Sequence, residues 1–166
     1  MKSAIVVVLL LSLASVSWAG QPIRPSALLF AYDANGKKIG TVLDVVAPPA
    51  YANVALRIRG IATTGTLSPD GLFVGAARLL FQSTDCTGTL YIEDSPRSIF
   101  KPLATSDPGS TVYGQQPGSS AQAISAGSEK QGSQCMPYTN PKTVQAFPAV
   151  PLVDLSTLFT PPFMVR

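Results

Sequence analysis

Histidine is absent from this chain. Its absence excludes a Ser-His-Asp or Cys-His catalytic site built from the chain alone. It also excludes imidazole ligation of zinc, copper or iron and a histidine-based pH switch. Tryptophan occurs once, as Trp18, inside a segment expected to be removed. Glutamate occurs only as Glu93 and Glu129, so a catalytic carboxylate pair must be drawn from these two and seven aspartates. Charged residues make up 13% of the sequence, and the 12 Lys and Arg against 9 Asp and Glu are scattered. A nucleic-acid-binding surface needs a clustered basic face, which is missing here. Beyond residue 20 no run approaches the roughly 20 apolar residues of a membrane-spanning helix. The two cysteines, Cys86 and Cys135, do not form a C-x-x-C redox motif.

The beginning of the chain carries the most specific signal. Lys2 supplies a positive start, Ala4 to Val16 is apolar or small apart from Ser12 and Ser15, and Ser17-Trp18-Ala19 ends in a small-x-small pattern before Gly20. That order is the signature of a secretory signal peptide. Residues 1–19 are therefore expected to be cleaved, leaving one domain over residues 20–166 in the periplasm or outside the cell. In an oxidising compartment an isolated cysteine pair forms a disulfide. Closing a loop of about fifty residues stabilises the fold by about 4 kcal/mol on the chain-entropy estimate.

Composition then sets the fold class. There are 13 glycines and 15 prolines, and the β-branched runs are short and separated by turn residues. This pattern predicts an all-β domain, an antiparallel sandwich or small barrel with one disulfide. Residues 26–43 read as a hairpin around Asp33-Ala34-Asn35-Gly36, since Asn-Gly accepts the positive φ of tight turns. The same four residues resemble the start of a calcium loop, but Lys37 follows and no distal glutamate comes before Glu93. Asn53 to Arg59 alternates, with Val54, Leu56 and Ile58 on one face and Ala55, Arg57 and Arg59 on the other. Arg57 and Arg59 are thus candidate partner contacts projecting from one surface. Ser68-Pro69-Asp70-Gly71 predicts a tight turn, and short strands follow to Ile92.

Residues 105–134 are rich in Ser, Gly, Gln and Ala and read as a long polar loop region with one or two strands. Tyr113 in this region is a third candidate contact. Residues 137–166 are punctuated by prolines and are expected to form an edge strand, a short turn near Asp154 and an extended wrap pinned by Phe159 and Phe163.

Motifs for chemistry are few. Glu93 and Asp94 are adjacent, and neighbours on a strand face opposite ways. Ser98-Ile99-Phe100-Lys101 matches S-x-x-K, but Pro102 disfavours helix at the lysine that the motif requires. No catalytic residue, metal ligand or cofactor is expected. Three segments together, Asp33 to Gly40, Leu80 to Ile92 and Phe159 to Phe163, resemble a loose group of uncharacterised exported bacterial β-rich proteins, some carrying a similar module after collagen-like segments. The resemblance implies no activity and no binding residues. The expected function is a non-enzymatic module that binds a protein or an envelope component, with no nucleic acid and no membrane span. The alternatives are a carboxylate-based secreted hydrolase and an inhibitor acting through the 105–134 loop.

Overall fold

A computed structural model describes residues 28–46, 51–95, 101–107 and 110–166. The expected signal peptide, and Ser98 to Phe100 of the S-x-x-K match, lie outside the described residues. Twelve strands follow in order: β1 Phe30–Tyr32, β2 Lys38–Val46, β3 Tyr51–Ile58, β4 Ile61–Ser68, β5 Gly71–Val74, β6 Leu79–Phe81, β7 Leu90–Glu93, β8 Leu103–Thr105, β9 Thr111–Gln115, β10 Gln122–Gln131, β11 Gln134–Asp154 and β12 Met164–Val165. A single 3-10 turn, Leu155–Thr157, interrupts them. The fold is all-β, two antiparallel sheets packed together, with the Cys86–Cys135 disulfide inside the second of them.

The first sheet runs β12-β1-β2-β3-β4-β5. Local turns dictate most of it. In the β1–β2 hairpin, Gly36 takes φ +76, and the buried Asp33 carboxylate accepts backbone N–H groups from Asn35 and Lys37 at 3.0 and 2.8 Å. Thr160 N–H, from the far end of the chain, adds a third bond at 3.2 Å. These bonds hold Asp33 below the usual carboxylate range despite the opposing effect of burial. The carboxylate is thus engaged by three backbone donors within the hairpin. Between β3 and β4, Arg59 and Gly60 both have positive φ, 50 and 83, the signature of a two-residue type I′ turn.

The second sheet runs β10-β6-β7-β11-β9-β8. Strand β10 also pairs with β11, at Gln122 to Ala126 and again at Ser128 to Gln131. Strands β10, β6, β7 and β11 therefore close on themselves as a small ring. The remaining part of β11, with β9 and β8, faces the first sheet. Val54, Leu56, Ile58, Leu72 and Val74 pack there against Leu103, Val112, Val153, Leu155 and Phe159. The ring has its own smaller core of Leu80, Tyr91, Ile124, Ala126 and Ala146. A sandwich and a closed ring thus coexist in the described residues.

One expectation is filled in and another needs correction. Residues 105–134, expected as a polar loop region with one or two strands, hold two, β9 and β10, whose buried positions are mostly small or polar. Ser128 is fully buried, accepting from Cys86 N–H at 3.2 Å and donating to the Ser83 carbonyl at 2.8 Å. Gly127 is required beside it: a Cβ there would lie 2.7 Å from the carbonyl oxygens of Gln82 and Ser83. The correction concerns the proline-rich tail. Its strand, β11, lies inside the sheet between β7 and β9 rather than at an edge. The prolines fall where pairing is interrupted or changes hands. Pro137 sits by the register shift at Ala126/Ser128, and Pro141 in the gap before Lys142. Pro148 ends the pairing with β7, and Pro151 precedes the shift to Val153. The tail otherwise follows expectation. Asp154 caps the 3-10 turn through Ser156 N–H, Phe159 is buried in the core, and Phe163 packs against it.

Candidate functional site

The chain's two glutamates meet at one arginine. Arg78 immediately precedes β6, Glu93 ends β7, Glu129 lies on β10 and Tyr138 on β11, so the ring contributes a member from each of its four strands. Strand parity explains the convergence. Glu129 pairs with Leu80 and therefore points to the same side, toward the ring's own core. Arg78 and Glu93 share that side with Leu80 and Tyr91. The Arg78 guanidinium binds Glu93 bidentately, Nε to Oε2 at 2.6 Å and Nη2 to Oε1 at 2.5 Å. Its Nη1 lies 3.7 Å from Glu129 Oε2. Tyr138 Oη donates to that oxygen at 2.6 Å, and Gln131 Nε2 donates to Glu129 Oε1 at 3.0 Å.

Electrostatics follow from this arrangement. Burial and the hydrogen bond to the Glu129 carboxylate push the Tyr138 hydroxyl up to about 12. The bond to Glu93 holds the Arg78 guanidinium even more firmly protonated than usual. Lys142 Nζ lies 4.0 Å from the centre of the Tyr138 ring on the outside. Glu93 is thus paired with the single guanidinium, and Glu129 shares that charge at longer range while accepting from Tyr138 and Gln131, which suits both to holding strands together. The sequence places Glu93 beside Asp94 and names Glu129 as the other glutamate, but does not reveal that the two glutamates meet at Arg78. The one available signal was that Arg78 is the sole charge abutting the apolar run Leu79 to Phe81.

Glu93 also reaches a cleft at the seam of the two sheets. It measures about 360 Å³ and is lined by Thr63, Thr64, Asp94, Ser95 and Lys101 among others. A second, shallower depression of about 560 Å³ lies on the first sheet. In it Thr41, Ala55 and Thr64 stand in register across β2, β3 and β4, on the face opposite buried Val54 and Leu56. Lys38 and Arg57 border this row. Ala55 carries too little side chain to fill the space between the two threonines, which makes the trough.

The three candidate contacts do not gather into one patch. Arg57 is exposed on β3 and donates from Nη1 to the Gly60 carbonyl at 3.0 Å. Arg59 does not share the strand face with it; it occupies the first position of the type I′ turn, where the alternation of β3 has ended. Tyr113 is half-buried on the other sheet, packed against Leu79, Ile92 and Ala104. Cys86 and Cys135 are joined and tie the turn before β7 to the β10–β11 hairpin. Among the described residues no three metal-ligating side chains cluster, and no helix is long and apolar enough to cross a membrane. No protein-family model, curated protein or solved structure matches the chain.

Proposed function

We propose that this chain is an exported, non-enzymatic module that acts outside the cytoplasm by binding a partner or a component of the cell envelope. The leader over residues 1–19, the resemblance to exported β-rich proteins and the Cys86–Cys135 bridge all support export, since disulfides persist in oxidising compartments. The observation that carries the non-enzymatic part is the state of Glu93 and Glu129. A hydrolase built on two carboxylates keeps one protonated and one open to substrate. Here both are engaged by Arg78, and Glu129 additionally by Tyr138 and Gln131.

The test is cosedimentation of the purified protein with washed cell envelopes, run beside a panel of chromogenic glycoside and ester substrates. Saturable binding with no turnover is expected. Turnover abolished by Glu129→Gln, with no envelope binding, would replace this reading with the hydrolase.

A further inference from the structure

We infer that the trough on the outer face of the first sheet is a binding site for a linear, carboxylate-bearing glycan. This rests on the binding-module reading above and names the ligand class.

The first ground is uncompensated charge. All nine acidic residues of the chain fall within the described residues, and neither Lys38 nor Arg57 is ion-paired with any of them. No acidic side chain lines the trough. Both cations are nevertheless positioned. Lys38 Nζ sits 3.3 Å from the centre of the Phe30 ring, and Arg57 is steered by its bond to the Gly60 carbonyl. Each retains donors for an anion.

The second ground is the floor. Thr41 and Thr64 flank Ala55, and among the described residues their hydroxyls have no hydrogen-bond partner in the protein. Open hydroxyls beside a small flat residue offer donors and acceptors to sugar hydroxyls, while the cations offer a match to a carboxylate. An acidic peptide is the poorer occupant. The strands under the trough are already paired on both sides, so strand addition is closed to it, and no aromatic anchor pocket lines the site. The seam cleft differs in having Glu93 and Asp94 in its lining, which would repel the same ligand.

The test uses calorimetric titration of the purified mature protein with three polymers. Polygalacturonate carries both sugar hydroxyls and carboxylates, dextran only the hydroxyls, and poly-L-glutamate only the carboxylates. Polygalacturonate is expected to bind, with dextran and polyglutamate clearly weaker, and salt should weaken the binding. Lys38→Gln and Arg57→Gln should each weaken it about tenfold, the loss of one charge-assisted contact. Lys130→Gln, on the other sheet, should leave it unchanged. Unchanged circular dichroism and melting temperature confirm that the variants fold, and Thr64→Ala probes the floor without altering charge. Equal binding of polyglutamate would overturn the glycan assignment, and equal loss in Lys130→Gln would reduce the site to diffuse net charge. Absence of polygalacturonate binding by a protein that still sediments with envelopes refutes the trough and spares the module reading. Absence of both refutes both.

Discussion

The first sheet and the closed ring are held together by different means. In the first sheet, alternating apolar residues such as Val54, Leu56 and Ile58 enter a common core, and hairpin turns set the register. In the ring the core is small, with alanines at 126 and 146, and polar bonds complete it. Ser128 and the Arg78–Glu129 pair join β10 to the β6 end and its following turn, Tyr138 binds Glu129 across the β10–β11 hairpin, and the Cys86–Cys135 bridge ties that hairpin to the same turn. The lesson is that a short chain segment with little apolar surface can still close a ring when each buried polar group has a partner. For the described residues, no buried side-chain nitrogen or oxygen lacks one.

The contrast can be broken most forcefully at the disulfide. Replacing both cysteines by serine should cost about 4 kcal/mol in denaturant unfolding. Hydrogen exchange should show β10 and β11 losing protection before β3 and β4. Simultaneous loss in both regions would make them one cooperative unit.

A core truncation should act the other way round. Leu56→Ala is expected to cost about 3 kcal/mol and to raise exchange first in the first sheet. A loss under about 1 kcal/mol would mean that this core is less tightly packed than its burial indicates.

Tyr138→Phe sharpens the comparison more gently. It removes one hydrogen bond to a carboxylate, at a cost of about 1–2 kcal/mol. The pH dependence has a definite sign. Burial and the bond to Glu129 push the Tyr138 hydroxyl up to about 12 in the folded protein, from about 10 for an exposed tyrosine. The folded state therefore holds its proton more tightly, and this stabilisation is complete below about pH 10 and is lost as pH rises toward 12. Ultraviolet titration should show one late-ionising tyrosine that disappears in Tyr138→Phe; an unchanged titration curve would place the late group elsewhere.

The smallest effect is expected at Arg59. Its φ of 50 suits glycine better, so Arg59→Gly should stabilise the β3–β4 hairpin by up to about 0.5–1 kcal/mol in thermal unfolding. A destabilised hairpin would show that the arginine side chain contributes contacts of its own.

Legibility divided along the same line. Residues 28–92 announced their hairpins through Asn35-Gly36, Gly60 and Pro69-Asp70-Gly71, because a turn's backbone demand is met by the residues in it. Strands β9 and β10 were obscured, since Ile124, Ala126 and Ser128 do not form a conspicuous apolar alternation. The prolines of β11 argued for an edge, and only the changes of partner along that strand accommodate them in the interior. The meeting of Glu93 with Glu129 was invisible for a similar reason: it depends on β10 reaching β6 and β11 at once.

From its residues alone, the chain settles that it builds sheets rather than helices, that its cysteines pair, and that its chemistry proceeds without imidazole. Those properties are local or compositional: turn propensity, strand alternation and an inventory of side chains. Closure of the ring, the paired glutamates on Arg78 and the row of Thr41, Ala55 and Thr64 arose only on folding. Each depends on register between segments far apart in the chain, and register is set by the packed ensemble of strands rather than by any one of them.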